Sequence, residues 1–426
     1  MKRVLIICYY WPPAGGPGVQ RWLKFVKYFK EFGIDPVVFV PENAHYPLQD
    51  ESFESEVPSD IEIIKFPIKE PYRFAKWFSR KKTQQISSGI ITERNPSRLE
   101  KFLLYVRGNL FIPDARVGWV KPSVRFLKKH LPENKIDTII TTGPPHSLHL
   151  IGLKLSQLMK VKWIADFRDP WTTIHYHQSL QLSKASANKH KRLESEVLNT
   201  ADRVVVTSWN TQKEFSEITN QPIAVVTNGF DAQETIQGDL DKKFSIVHVG
   251  SLLSNRNPEV LWKVLADLVQ ENEDFKKALQ IKLIGAVGDE IRESIQNHGL
   301  RLFTEIPGYV SHSEALQLQH KAQVLLLVEM DKEETKAIIP GKLFEYLRAE
   351  RPIVALGPEG SDIKRILDDT QAGQYFGYEE EQELKQEILQ LFDNYQHSTL
   401  RVASQNISQY SRRELTRTMA DLIKSL

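Results

Sequence analysis

Short apolar runs alternate with amphipathic helical stretches along most of the chain, and this alternation constrains the fold more than any other feature. The first three members are Val4–Tyr10, Val19–Phe32 and Pro36–Val40, in the order strand, helix, strand. Because a helix that joins two parallel strands covers one face of their sheet, the pattern predicts an α/β fold with a parallel sheet. The strands predicted next are Ile61–Phe66, Thr138–Thr142, Lys162–Asp166, Arg203–Thr207 and Ala224–Thr227.

The second half of the chain repeats this rhythm, with helices predicted at Pro258–Glu271 and Ser313–His320. At 426 residues the chain exceeds what one hydrophobic core usually serves, so two Rossmann-like domains are expected, over residues 1–230 and 243–409. The polar stretch Gly229–Lys243 has almost no apolar periodicity and is the predicted linker. The strands predicted in this half are Ser245–Val249, Gln280–Ile284, Leu302–Ile306, Val324–Val328 and Pro352–Leu356.

Composition indicates a protein of a reducing compartment. Cys8 is the only cysteine, which excludes disulfides within one chain and argues against a cysteine zinc site. The start of the chain is similar to a short signal peptide, but Pro12-Pro13 interrupts the apolar run, so a strand is expected there instead. No apolar run approaches the roughly 20 residues of a membrane helix, so any membrane contact is expected to be peripheral.

One stretch departs from the near-neutral charge of the whole chain. Residues Lys69–Lys129 contain fifteen basic and four acidic side chains, interleaved with aromatic residues such as Phe74, Trp77 and Phe78. This composition is typical of a surface that contacts anionic lipid headgroups, and it predicts a peripheral membrane contact. The alternative is a solvated helical insertion whose aromatic residues form core. No nucleic-acid recognition motif accompanies the charge, so no nucleic-acid partner is expected.

The segment Ile338–Leu347 lies between two predicted strands and contains Pro340-Gly341, which predicts a helix with Pro340 in its first turn. A helix N-terminus offers free N–H groups and the positive end of the helix dipole, to which Lys342 adds a cation. Glu345 lies about one turn further on and offers two acceptor oxygens. An anion and a pair of hydroxyl groups are the parts of a nucleoside diphosphate, so the segment indicates a nucleotide-sugar pocket. The alternative is an ordinary βαβ unit.

A glycine-rich turn, Pro12–Arg21, follows the first predicted strand and leads into a helix. Glycine lets the backbone approach a ligand closely, and Gly15 and Gly16 are the candidates for such a contact. The dinucleotide fingerprint G-x-G-x-x-G fails, because Arg21 stands where its third glycine should be. A tight turn without a ligand remains the alternative.

Polar residues follow three other predicted strands. Thr141–Ser147 contains His146, Asp166–Trp171 contains Arg168 and Asp169, and Val249–Asn257 contains Gly250 and Arg256. In open parallel sheets ligands bind beyond the carboxyl ends of the strands, so these side chains are candidates for binding a sugar or a diphosphate. His146 capping the next helix, and an ion pair between Arg168 and Asp169, are the alternatives.

Together these motifs make the chain similar to the bacterial retaining family 4 glycosyltransferases of the GT-B fold. The resemblance rests on Gly15-Gly16, Asp166–Trp171, Asn228–Asp231, Gly250, Gly341–Leu347 followed by Arg351-Pro352, and the closing stretch 410–426. It implies two Rossmann-like domains whose parallel sheets face an interdomain cleft. It also implies that the closing stretch is a helix that crosses back to the N-terminal, acceptor-binding domain, while the C-terminal domain binds the nucleotide sugar.

The resemblance also implies roles for residues. Glu345 matches the second carboxylate of the family's E-x7-E pattern, which binds the ribose, but Ala337 stands where the first belongs. Lys336, Thr335 or backbone amides within Ile338–Leu343 are the expected substitutes. The implied donor-binding residues are Gly15, Gly16, Gly250, Ser251, Arg256, Gly341, Lys342, Leu343 and Glu345, and the implied catalytic residues are His146, Arg168, Asp169, Arg256 and Lys342. The register of the family's histidine near His146 stays open.

The implied reaction transfers a sugar, hexosyl or related, from a nucleotide diphosphate sugar to a glycan or lipid-linked acceptor, with retention of configuration, in surface-polysaccharide biosynthesis. No cofactor and no metal are expected, since the Asp239–Asp241 pair lies in the predicted linker and is interpreted as solvated. The expected location is the cytoplasm, or the inner face of the cell membrane. Two alternatives stay open: a catalytically inactive GT-B-like binding subunit, suggested by Ala337 and Ser251, and a nucleotide-sugar epimerase that uses His146 and Asp169.

Overall fold

The structure is a computed structural model that describes residues 1–46, 48–70, 98–174, 177, 180–231 and 239–426. The chain forms two compact units. The first consists of Met1–Thr227 together with Arg412–Leu426, and the second consists of Asn228–Ser411. Each unit contains one parallel β-sheet.

The sheet of the first unit has the strand order β3-β2-β1-β4-β5-β6-β7, and all its described pairs are parallel. The direction in which successive strands are added reverses between β1 and β4, which is the usual place for a ligand in such sheets. The strands are β1 (Lys2–Ile7), β2 (Ile34–Pro41), β3 (Glu62–Phe66), β4 (Thr138–Gly143), β5 (Lys162–Phe167), β6 (Arg203–Val206) and β7 (Ile223–Val225). The described helices before the second unit are α1 (Pro17–Phe29), α2 (Arg98–Leu110), α3 (Val117–Glu133), α4 (Ser147–Leu158), α5 (Lys184–Thr200) and α6 (Trp209–Ser216).

Both faces of this first sheet are buried. Along β1, Leu5 and Ile7 belong to one hydrophobic cluster, whereas Val4 and Ile6 belong to another. Successive side chains of a strand point to opposite faces, so the sheet separates two cores. This explains why the strands read as continuous apolar runs instead of alternating with polar residues.

The sheet of the second unit has the order β10-β9-β8-β11-β12-β13, again entirely parallel among its described pairs. It reverses between β8 and β11, in the same way as the first sheet. The strands are β8 (Phe244–Val249), β9 (Leu279–Ile284), β10 (Thr304–Gly308), β11 (Val324–Val328), β12 (Ile353–Leu356) and β13 (Gly373–Phe376). The helices are α7 (Glu259–Glu271), α8 (Glu273–Ala278), α9 (Asp289–Asn297), α10 (His312–Lys321), α11 (Gly341–Ala349), α12 (Asp362–Thr370) and α13 (Glu381–Gln396).

The last helix, α14 (Arg412–Lys424), packs on α1 in the first unit. Its apolar residues recur at helical spacing and join the cluster that contains Trp22 and Phe29. These residues are Leu415, Met419, Ala420 and Ile423. The C-terminal helix is therefore part of the first unit's core.

Arg21, which breaks the dinucleotide fingerprint, has a structural role. Its Nη2 donates to Oδ1 of Asp166 at 2.8 Å, and the carboxylate also accepts from Trp22 Nε1 and Thr142 Oγ1, each at 2.8 Å. Burial alone would raise the pKa of Asp166, but Arg21 and these hydrogen bonds hold it below its ordinary value. The network connects α1 to β4 and β5. At position 21, an ion pair therefore joins the helix to the sheet, where the dinucleotide fingerprint would have a glycine in close contact with the strand.

The structure differs from the sequence predictions in several local features. Leu302 is 94% exposed in a 3₁₀ turn (Arg301–Phe303), and the strand begins only at Thr304. Strand β13 was not predicted, because Gly373–Phe376 contains only two apolar residues and no alternation. Asp241 is not a solvated linker residue, since its Oδ2 accepts from Lys282 Nζ at 2.7 Å.

The stretch with the predicted membrane contact, Lys69–Lys129, lies partly outside the described residues. Residues 71–97, with Trp77, Lys81 and Lys82, belong to this undescribed part, as do residues 232–238 of the predicted linker. Among the described helices, none is both long and apolar enough to span a bilayer. The peripheral contact therefore stays a prediction.

Candidate functional site

In the second unit, several residues predicted to bind the donor gather where β8 and β11 end. Gly250 directly follows β8, and its φ of +112° is a conformation that favours glycine. A Cβ built on Gly250 would lie 2.8 Å from Nζ of Lys342, so a larger residue would displace the lysine. Ser251, next in the chain, is exposed. The site therefore lies at the point where the strand order of this sheet reverses, as expected for a ligand site in a doubly wound sheet.

Lys342 lies in the first turn of α11, and its Nζ is 3.2 Å from Nε2 of His248. The pKa of Lys342 is lowered from 10.5 to about 8, first because burial removes water from the ammonium and second because Arg256 carries the same charge. Glu329 and Glu345 act in the opposite direction. Most Lys342 side chains are therefore cationic at neutral pH, although the proton is held less tightly than on a solvated lysine.

Arg256 ends a 3₁₀ turn, Ser254–Arg256, that follows β8. Its Nε and Nη2 both lie 3.0 Å from Oε1 of Glu329, the residue directly after β11. The Glu329 side chain is 1% exposed, whereas 28% of the Arg256 side chain remains exposed. Glu329 thus orients the guanidinium, and part of this guanidinium still faces solvent.

The N-terminus of α11 contributes backbone donors. Pro340 is the N-cap, one residue outside the helix instead of in its first turn as predicted, and no side chain caps the helix. The N–H of Leu343 donates to Pro340 O at 3.0 Å, and the Leu343 side chain is fully buried. The donor contact assigned to Leu343 from the sequence stays a prediction. The N–H groups of Gly341 and Lys342 come first in the helix and have no intrahelical acceptor.

Tyr346 fixes the position of this helix on the sheet. Its hydroxyl accepts from the N–H of Val249 at 2.9 Å and donates to the carbonyl of Leu326 at 3.3 Å. The side chain is fully buried. One tyrosine therefore connects α11 to the end of β8 and to the middle of β11, the two strands that flank the site.

The carboxylate of Glu345 is oriented by a hydrogen bond from a neighbouring helix. Its Oε2 accepts from Nε2 of Gln319 at 3.0 Å, and Gln319 lies fully buried on α10. The Glu345 side chain itself is half-buried. Its carboxylate therefore has a defined orientation, one turn of helix beyond Lys342.

The substitutes expected for a carboxylate at position 337 are mostly engaged elsewhere. Thr335 is fully buried, and its hydroxyl donates to Met330 O at 2.6 Å. The N–H of Ile338 donates to Thr335 O at 2.9 Å. Lys336 forms an ion pair with Glu333 at 2.6 Å. Each of these three groups thus has a partner within residues 330–338, and its role as a substitute for the missing glutamate stays a prediction.

In the first unit, the glycine turn follows β1 and precedes α1. The N–H of Gly15 donates to Leu48 O at 2.9 Å, and Gly16 is the N-cap of α1 with a φ of +94°. A Cβ built on Gly18 would lie 2.1 Å from Nη1 of Arg168, which no real side chain tolerates. Absence of a side chain at position 18 thus lets Arg168 lie against the first turn of the helix.

Arg168 is also bound to the segment after β4. Its Nε donates to Gly143 O at 3.2 Å, and its Nη2 donates to Pro144 O. Asp169 is the next residue in this loop and is half-buried. The loop that precedes His146, the glycine turn and Arg168 are therefore brought together at the end of the first sheet.

His146 is the N-cap residue of α4, but its ring makes no capping hydrogen bond. The ring stacks on Trp171 with centroids 4.9 Å apart and planes at 3°. Both ring nitrogens are buried and have no hydrogen-bond partner among the described residues. Burial, with neighbours that include His149 and Arg168, lowers the pKa of His146 well below 6.5, so the ring is neutral.

His248, Glu329 and Gln319 were not among the site residues predicted from the sequence. Glu329 directly follows the apolar run Val324–Val328, and an acid at the carboxyl end of a buried strand is a signal that could have identified it. His248 likewise stands inside an apolar run, two residues before Gly250. Gln319 gives no such signal, because glutamine is common on helices and its contact with Glu345 depends on how α10 packs on α11.

Comparison with known proteins identifies the family. Residues 83–234 match the sequence profile of Glycosyltransferase Family 4, and residues 243–394 match that of Glycosyl transferases group 1. The chain belongs to the family 4 glycosyltransferases of the GT-B fold. No curated protein sequence matches this glycosyltransferase.

Solved structures share the fold of this glycosyltransferase. HepE (Alr3699) of Anabaena, solved with UDP-glucose, is 14% identical, with a TM-score of 0.61 and 100% of both chains covered. A mutant of S. aureus TarM, solved with fondaparinux, alpha-GlcNAc-glycerol and UDP, is 11% identical, with a TM-score of 0.58 over 99% of this chain and 100% of TarM. WaaG, a glycosyltransferase involved in lipopolysaccharide biosynthesis, is 12% identical, with a TM-score of 0.53 over 99% and 100%. At these identities the similarity concerns the fold alone.

Proposed function

We propose that the protein is a retaining glycosyltransferase that moves a sugar from a nucleoside diphosphate sugar to a glycan or lipid-linked acceptor. The observation that carries the proposal is the placement of Arg256 and Lys342 beside the N-terminus of α11. Two cations and two free N–H groups at one end of a parallel sheet form a site for a diphosphate. Glu345, oriented by Gln319 at 3.0 Å, supplies acceptor oxygens for the ribose hydroxyls.

The chemistry required of this site is stabilisation of a leaving group. When the bond between the sugar and the diphosphate breaks, the electron pair remains on the phosphate oxygen. Arg256, Lys342 and the end of the helix dipole lower the energy of that added charge. These groups supply positive charge without a metal ion, and metal-independent transfer is therefore part of the proposal.

The acceptor is assigned to the first unit. Its hydroxyl attacks the sugar carbon on the face that the diphosphate leaves, which retains the anomeric configuration, and the hydroxyl proton passes to the phosphate oxygen that keeps the electron pair of the broken bond. Arg168, Asp169 and the neutral His146 are the proposed polar contacts at this end of the reaction. Structural similarity to WaaG supports, at the level of fold, a role in assembling a surface polysaccharide.

The test is to incubate the protein with a panel of nucleoside diphosphate sugars in EDTA and to follow release of the nucleoside diphosphate. Slow hydrolysis of one donor, accelerated by a lipid or polysaccharide extract and reduced in Lys342→Met, is the expected result. Lys332→Met is the matched control, since Lys332 is exposed in the loop before α11. Activity that requires added divalent metal would contradict the metal-independent part of the proposal.

The same experiment separates the remaining alternatives. An epimerase converts the sugar while it is still attached to the nucleotide, which chromatography of the recovered donor detects without any acceptor. A catalytically inactive binding subunit binds a donor but produces neither hydrolysis nor transfer with any extract. Retention is read from the anomeric configuration of the isolated product.

A further inference from the structure

His248 is a buried histidine in β8 whose protonation state is fixed by its neighbours. Its Nδ1 lies 3.0 Å from the carbonyl oxygen of Leu326. A carbonyl oxygen can only accept, so Nδ1 must carry a proton and donate. Burial first, and then the charge of Lys342, lower the pKa of His248 well below 6.5, so the ring is neutral and Nε2 bears a lone pair.

That lone pair faces the ammonium group of Lys342. The distance from Nε2 to Nζ is 3.2 Å, and an ammonium group can only donate. The hydrogen bond therefore runs from Lys342 to His248. The ammonium group also lies close to Gly250, because a Cβ built on this glycine would be only 2.8 Å from the same Nζ.

We propose that His248 is a positioning residue that holds the ammonium group of Lys342 in place for the diphosphate of the donor. This inference rests on the proposed function. A lysine side chain has four rotatable bonds, and ordering them at the moment of binding weakens affinity. A lysine that is already held loses less freedom when the ligand arrives.

A neutral acceptor suits this task better than a carboxylate. A carboxylate at position 248 would pair with Lys342 and cancel the charge that the diphosphate needs, whereas a neutral imidazole orients the ammonium and leaves its charge intact. The other charged groups near Lys342 are Arg256, Glu329 and Glu345. Glu329 is already bonded to Arg256 and Glu345 to Gln319, so each carboxylate has a partner of its own.

The test uses inorganic pyrophosphate as the probe and calorimetry as the measurement. His248→Leu should weaken pyrophosphate binding by about tenfold, the typical effect of losing a hydrogen bond to a charged group. His248→Gln should restore most of the affinity, because its amide oxygen can accept from Lys342. His397→Leu is the control, since His397 is exposed at the end of α13.

A double-mutant cycle separates positioning from a general effect on the fold. In the Lys342→Met background, His248→Leu should cause no further loss of affinity, because the group that it positions is gone. Equal losses in both backgrounds, or unchanged affinity of His248→Leu in the parent, would overturn the inference. Absence of pyrophosphate binding in the parent protein would instead contradict the proposed function.

Nitrogen-15 NMR of the ligand-free protein tests the geometry independently of any ligand. The resonances of His248, assigned by their loss in His248→Gln, should show a protonated Nδ1 and an unprotonated Nε2 at pH 7. A proton on Nε2 would overturn the inference, because Lys342 would then have no acceptor. Melting temperatures of all variants identify any that fail to fold.

Discussion

Oε1 of Glu329 accepts a hydrogen bond from Nε of Arg256 at 3.0 Å and forms an ion pair with its Nη2, also at 3.0 Å. The same oxygen accepts from the N–H of Met330 at 2.9 Å. Because Glu329 is almost completely buried, its carboxylate is a fixed point in the site and the arginine is oriented by it. The guanidinium is thus directed by a residue that does not contact solvent.

Glu329→Gln should therefore weaken binding of a nucleoside diphosphate by roughly tenfold, because an amide cannot hold the guanidinium through a charged pair. The melting temperature should fall by about 3 °C, since the guanidinium of Arg256 loses its anionic partner. Isothermal calorimetry and differential scanning calorimetry measure the two effects. Glu333→Gln is the control, because the Glu333 side chain is 81% exposed. Unchanged affinity in Glu329→Gln would show that the orientation of Arg256 is unimportant.

Lys342→Met should make the ligand-free protein more stable at pH 7. The folded-state pKa of Lys342 is lowered from 10.5 to about 8, so the unfolded chain binds the proton more tightly and the charged lysine favours unfolding. The resulting decrease in the free energy of unfolding is complete below about pH 8, becomes smaller between pH 8 and 10.5, and is absent above pH 10.5. We expect a melting temperature higher by roughly 2 °C at pH 7 and little difference at pH 10.5. A decrease at pH 7 would mean that Lys342 stabilises the fold.

Binding of the diphosphate should depend on pH through the same group. Below pH 8 the ammonium is already charged, whereas above it each binding event must take up a proton. Affinity should fall by at most tenfold per pH unit on the alkaline side. Calorimetry at pH 8.5 in buffers of different ionisation enthalpy should detect the proton uptake, and Lys342→Met should abolish it. Affinity that is flat between pH 7 and 9.5 would contradict the assignment of Lys342 to the diphosphate.

Glu345→Gln should discriminate between two ligands. If the carboxylate accepts hydrogen bonds from the ribose, the variant should bind a nucleoside diphosphate about tenfold more weakly, because a charged acceptor has been replaced. Inorganic pyrophosphate has no ribose, so its affinity should change little. Calorimetric titration of the parent protein and of Glu345→Gln with each ligand measures the two changes in affinity. An equal loss for both would place Glu345 at the phosphates instead.

The sequence predicted the two sheets well, because buried parallel strands are short apolar runs that stand out between amphipathic helices. Strand β13 was missed, because its few residues have no such pattern. Strand β10 was predicted to begin at Leu302, whereas it begins at Thr304. In the site, glycines and cations after strand ends were recognisable from their positions. His248, Glu329 and Gln319 were not named, because their roles depend on which strands and helices become neighbours. The engagement of Leu343 and Thr335 in local hydrogen bonds was likewise visible only in the fold.

The most direct test of the account is the change in melting temperature caused by nucleoside mono- and diphosphates. Ligand at a hundredfold excess over its Kd stabilises the folded state by about 2.7 kcal/mol, which a thermal-shift assay detects. We expect one nucleoside diphosphate to raise Tm clearly, its monophosphate to raise it less, and Lys342→Met to lose most of the diphosphate response. No response to any nucleoside diphosphate, or an equal response in Lys342→Met, would contradict the claim that this end of the second sheet binds the donor.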